Sequence, residues 1–140
     1  MIKLNKTLLV NLIFGCTVFS SAAFSEIAVV VNPSNNNSPD VSEIKRIFLG
    51  KQSSFADGSS AKPVDQEGPA VGEFNDKVLG RSASQLKAYW SKLIFTGKGK
   101  PPEKLSSDAD VLKAIASDAS IIGYVDSASV DGSVKVLMKL

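Results

Sequence analysis

"PVDQEGPAVGEF", Pro63 to Phe74, reads as the end of a strand, a turn, and a helix that opens near Pro69. The start of a helix leaves its first N–H groups without intrahelical partners, and those donors are suited to holding an anion. Upstream, "FADG" is a turn and "AKPV" leads into the strand; downstream, "AVGEFNDKVL" continues as helix to Gly80.

The same alternation extends in both directions. "IAVVV" (27–31) is a short β-branched apolar run that stops at the loop formers "NPSNNNSPD". A helix then begins, with Ser38 as its expected cap, Pro39 in its first turn and Asp40 complementing its dipole. Val41, Ile44, Ile47 and Phe48 recur on one helix face, and Gly50 is placed to end it in a left-handed conformation. Beyond Gly80, Ser82 or Ser84 caps "ASQLKAYWSKLIF", with Leu86, Trp90, Leu93 and Ile94 as its expected inner side, and "TGKGKPP" is a loop. Ser107 caps "DADVLKAIASD", with Val111, Leu112, Ile115 and Ala116 facing inward. "IIGYV" is a strand, "DSASVDG" turns, and "SVKVLMKL" closes the chain as a last strand. There is no internal repeat. This order predicts an α/β domain with helices packed over a central sheet.

The first 25 residues are of another kind. "MIKLNK" carries two lysines, "TLLVNLIFGCTVF" is apolar, and "SSAAFS" is small, the pattern of a secretory signal peptide with cleavage expected after Ser25. The apolar run is shorter than the roughly 20 residues of a membrane span. Cys16, the single cysteine, is open to reading as a lipid-attachment site, but Phe14 is bulky for that role and the residues after Cys16 stay apolar. The expected exported chain, 26–140, is one domain without a thiol, and its stability must come from a packed core. Removing Lys3 and Lys6 leaves 14 basic residues against 14 acidic ones. A neutral chain without a lysine or arginine stripe is a poor ligand for nucleic acid, and no basic amphipathic stretch points to a membrane surface.

Catalytic side chains are scarce. Without histidine, and with its one cysteine in the leader, the chain has no Ser-His or Cys-His pair and no imidazole or thiolate metal site. "SEIK" (42–45) and "SSAK" (59–62) match a Ser-x-x-Lys pattern without its companion motifs, and a chain rich in both residues produces it by chance. Asp108 and Asp110 read as first-turn dipole partners in preference to an acid–base pair. Tyr89 and Trp90 could form a stacking platform, but Trp90 falls on the apolar helix face and is expected in the core. These residues argue for a binding protein and against an enzyme.

"VSEIKRIFLGKQSSFADGSSAKPVDQEGPAVGEF", followed by "YW", "FTGKGKPP" and "IIGYV", resembles the substrate-binding proteins of phosphate ABC transporters. The resemblance runs from Ile27 to Val125, with "RIFLGK" (46–51) its most specific piece. It implies one lobe of a type II periplasmic binding protein: a central mixed sheet flanked by helices, exported to the periplasm, with phosphate or a related oxyanion as ligand. Two departures accompany it. Family members close two lobes around the ligand, whereas 26–140 is enough for one. In the family an arginine and a Ser-Gly-Thr grip the anion; here the Ser-Gly-Thr positions fall on Gly68, Pro69 and Ala70, and the arginine's on Val64, Asp65 and Gln66. The remaining candidate donors are the backbone N–H groups of Gly68, Ala70 and Val71 and the side chains of Gln66, Ser34 and Asn35, for which ordinary turn and capping work is the competing role. Two functions follow: a solute-binding component whose site a second copy of the lobe would complete, or a module that docks on a transporter or another envelope protein.

Overall fold

The computed structural model describes residues 26–140; the expected signal peptide and Cys16 lie outside the described residues. In chain order the elements are β1 (Ile27–Val31), α1 (Val41–Phe48), β2 (Lys62–Gln66), α2 (Ala70–Phe74), a π-helical turn (Asn75–Leu79), α3 (Ala83–Phe95), β3 (Glu103–Leu105), α4 (Asp108–Ser117), β4 (Ile121–Asp126) and β5 (Lys135–Lys139). The sheet runs β3-β2-β4-β1-β5. β2 lies parallel to both β3 and β4, while β1 is antiparallel to β4 and β5, so the sheet is mixed and β1 runs against its neighbours.

All five residues of β1 are fully buried, as a continuous apolar run requires when both faces of a strand are covered. Alternate side chains serve two cores. Ile27, Val29 and Val31 pack with Ile44, Ile47 and Phe48 of α1, with Phe74, and with Ile122 and Tyr124. Ala28 and Val30 pack with Val64, Val125 and the α4 residues Val111, Leu112 and Ile115. The result is three layers, with α1 and α2 on one side of the sheet and α4 on the other.

Several helix ends follow the sequence. Gly50 and Gly80 have φ of 72° and 62°, the left-handed conformation that stops a helix. Ser82 caps α3 in a reciprocal box with Gln85, and Ser107 caps α4. Four expectations need correction. Asp40, not Ser38, caps α1, its carboxylate accepting the Glu43 N–H at 2.7 Å; Val41 and Ala116 are exposed. The helix after Ala70 loosens into a π turn. Residues 103–105, three mostly polar residues at the sheet's edge, pair as a strand with no apolar alternation to announce it.

Gly123 in β4 lets α4 approach the sheet. A Cβ there would lie 2.8 Å from Val111 Cγ1 and 3.1 Å from both Ile115 Cδ1 and Val64 Cγ2. Gly123→Ala is therefore expected to cost about 2 kcal/mol by overpacking. Urea unfolding should show a lower midpoint at unchanged slope; a loss under about 0.5 kcal/mol would mean that α4 is free to move off the sheet.

Candidate functional site

β2 ends at Gln66, and residues 67–69 turn the chain into α2. Pro69 already has helical dihedrals, φ −63° and ψ −22°, and no side chain caps the helix. Without a cap, no side chain takes up the first donors of the helix. The N–H groups of Gly68 and Ala70 have no protein partner among the described residues, whereas that of Val71 donates to the Gly68 carbonyl at 3.3 Å. Two of the three expected backbone donors therefore remain open.

Gln66 does the opposite of what the sequence suggests. Its side chain is buried, and its Nε2 donates to the Tyr124 carbonyl at 2.7 Å. Because a carbonyl only accepts, this bond fixes the amide's orientation and turns Oε1 toward the loop. There it is buried without a partner, so close to Gly68 that a Cβ on that residue would lie 2.6 Å away. Gln66 presents an acceptor to the junction, not a donor.

Asp65 is tied into the fold as well. One carboxylate oxygen accepts the Tyr124 hydroxyl and also the Gln66 N–H at 2.8 Å. Burial, and next the Asp65 charge, push the Tyr124 phenol well above its usual range, so it stays a neutral donor. Its ring stacks on Phe74 with centroids 3.8 Å apart and planes at 3°, which couples β4 to the end of α2. Glu67 is exposed, its N–H held by the Leu105 carbonyl.

More carboxylates stand at the same end of the sheet, where α4 begins. Asp108 accepts from the Ser129 hydroxyl at 2.8 Å and the Asp126 N–H at 3.2 Å, tying α4 to the turn after β4, and its second oxygen is buried without a partner. Asp110 accepts from the Ser106 hydroxyl. Both make structural contacts beyond dipole complementation. The cation that the sequence did not reveal is Lys104. It is the cross-strand neighbour of Asp65, exposed and not ion-paired among the described residues, and recognising it depends on recognising β3 as a strand.

Ser34 and Asn35 do not join this group. β1 is antiparallel to β4, so the loop after Val31 lies beside Ile122 at the beginning of β4, while Gln66 lies near Tyr124 toward its end. Ser34 and Asn35 instead line a polar cleft of about 430 Å³ with Asp57, Ser59, Asp118 and Ser120. Asn32 accepts from the N–H and hydroxyl of Ser34, and Asn35 Oδ1 from the N–H and amide of Asn37, so both loop residues build turns. Ser59 and Ser120 donate to Asp57 and Asp118 and hold those carboxyls below their usual range.

Trp90 is not a core residue: it is half-buried, and α3 contains no buried residue. Its ring lies 3.4 Å from a Cβ position on Gly50 and walls a groove of about 680 Å³ between α1, β2 and the loop before β3. Tyr89 donates to the Leu49 carbonyl at 2.6 Å and lies under Arg81, so it anchors α3. Among the described residues no cluster of three candidate ligands could hold a metal, and no helix is long and apolar enough to cross a membrane.

Solved structures give the architecture its context. An ABC-type phosphate transport receptor from Vibrio cholerae matches 79% of this chain at 17% identity and a TM-score of 0.53. A Clostridium perfringens protein assigned as a phosphate ABC transporter substrate-binding protein, solved with bound phosphate, matches 80% at 16% identity and a TM-score of 0.59. The chain has the fold of one lobe of these receptors. PstS from Borrelia burgdorferi matches 80% of the chain at 8% identity with a TM-score of 0.56. In each case the match spans less than half of the other chain, 44%, 44% and 47% in turn. No family model and no curated protein sequence matches the chain.

Proposed function

We propose that this protein is an exported, non-enzymatic solute-binding lobe of the phosphate-transport type, with an anion seat that keeps its backbone geometry and has lost most of its charge. The observation that supports the reading is the junction after β2, with the N–H groups of Gly68 and Ala70 unpartnered among the described residues. In the resembling family an arginine and two hydroxyls act at this place; here stand Asp65, Glu67 and a glutamine whose acceptor faces the loop. The ligand-contacting set is Gly68 and Ala70, with Lys104 as the nearby cation; Gln66 and Val71 spend their donors within the fold, and Ser34 and Asn35 line a separate cleft. A second copy of the lobe, or a transporter, would supply what one lobe lacks.

Calorimetric titration of the exported protein with phosphate tests the seat. The expected dissociation constant is millimolar or weaker, and a micromolar value would overturn the reading of a discharged site. The alternative, a module that docks on an envelope protein, is favoured by the exposed apolar end of α3, where Phe95 is almost bare. Thermal unfolding separates the two: high phosphate raises the midpoint of a solute binder by mass action and leaves a docking module unchanged. Size-exclusion chromatography with and without phosphate reports whether two lobes assemble around the ion.

A further inference from the structure

Overall neutrality hides an uneven distribution of charge. Residues 81–105, comprising α3, the turn after it and β3, hold six basic residues and one acidic, while the rest of 26–140 holds eight basic and thirteen acidic. Lys87, Lys92, Lys98, Lys100 and Lys104 are exposed, and none is ion-paired among the described residues. This local concentration of charge bears on the expectation that no basic amphipathic stretch points to a membrane surface. At the C-terminal end of α3, Phe95 is 92% exposed and Ile94 56%. The helix stops at Thr96 and Gly97 turns the chain at φ 67°, so the apolar pair sits between Lys92 and the turn bearing Lys98 and Lys100.

An aromatic ring left so bare contributes little to folding and marks a contact surface when basic residues flank it. We propose that this tip docks on an anionic lipid surface, with Phe95 and Ile94 entering the headgroup boundary and Lys92, Lys98 and Lys100 meeting lipid phosphates. Charge and size both favour this occupant. A symmetric contact with a second copy would bring the lysines of both tips together. Two projecting side chains also fall far short of the about 800 Å² that each partner buries in a stable protein interface. A bilayer needs no matching socket, and a small basic tip suffices for reversible attachment.

The test is partition of the exported protein onto phosphatidylcholine vesicles with and without about 30% phosphatidylglycerol, followed by sedimentation and by the fluorescence of Trp90, the chain's one tryptophan, which lies just over one turn before the tip. Binding is expected only with the anionic lipid, with a blue shift, and with release at about 0.5 M salt. Phe95→Ser should lower the partition coefficient about tenfold, and reversal of Lys92, Lys98 and Lys100 to glutamate should abolish binding. Because these side chains are exposed, the variants should retain the wild-type unfolding midpoint, and a shared N-terminus means that differences report on the tip alone. Equal partition of wild type and variants would overturn the proposal. Failure to bind anionic vesicles would overturn it as well. Phosphate binding at the junction bears on neither result.

Discussion

Phe74→Ala should remove about 4 kcal/mol of stability, the largest loss expected from any single side chain here. Phe74 is 1% exposed, and it touches two other aromatic rings of its core: Tyr124 stacked at 3.8 Å and Phe48 edge-on at 4.7 Å. Truncation therefore removes the transfer free energy of a ring and two aromatic contacts, and leaves a cavity against β4 that the sheet cannot close. A domain of this size has about 5–15 kcal/mol in total, so the variant should be near its unfolding threshold at 37 °C. Urea denaturation followed by circular dichroism measures the loss; Phe74→Leu, which refills most of the volume, should recover about half of it. A loss under about 1.5 kcal/mol would place the ring outside the rigid core. The residue also has a functional consequence. Tyr124 holds Asp65 through its hydroxyl and Gln66 through its carbonyl, so loosening the stack loosens the residues that set the junction's polarity.

The elements built on local signals were legible in the sequence, and the site was legible only in part. β1, β4 and the inner faces of α1 and α4 follow from apolar periodicity, and Gly50, Gly80, Ser82 and Ser107 end or cap helices through local backbone chemistry. Non-local relations were hidden. The antiparallel placement of β1 sends Ser34 and Asn35 to the far end of the sheet from Gly68, and strand direction leaves no trace in a five-residue run. Gln66 is a donor or an acceptor according to which end of its amide meets Tyr124, 58 residues away in sequence. Lys104 joins the junction only because 103–105 pair with β2. For α3, the pattern Leu86, Trp90, Leu93 and Ile94 gives the correct helix but not its burial, because periodicity records an apolar face without recording whether anything packs on it.

Removing the two carboxylates beside the turn should create phosphate binding where little exists. With an anion seated at the N–H groups of Gly68 and Ala70, a carboxylate about 6 Å away costs on the order of 3 kcal/mol per unit charge at an effective dielectric near 20. A helix terminus exposed to solvent returns about 0.3 to 1 kcal/mol, so repulsion dominates in the wild type. Asp65→Asn with Glu67→Gln keeps the shapes, and the amide oxygen that replaces the Asp65 carboxylate still accepts the Tyr124 hydroxyl, so the fold should be retained. The double variant should bind phosphate about ten-thousandfold more tightly at low ionic strength, about a hundredfold for each carboxylate removed, and screening at about 0.15 M salt should cut that gain to about a hundredfold. Lys104→Gln in the same background should move affinity the other way, since it removes the cross-strand cation that the carboxylates no longer offset. Calorimetry of the three proteins decides the matter: if the double variant binds phosphate no better than the wild type, the open N–H groups are not an anion seat, and the ligand of this lobe must be sought elsewhere on its surface.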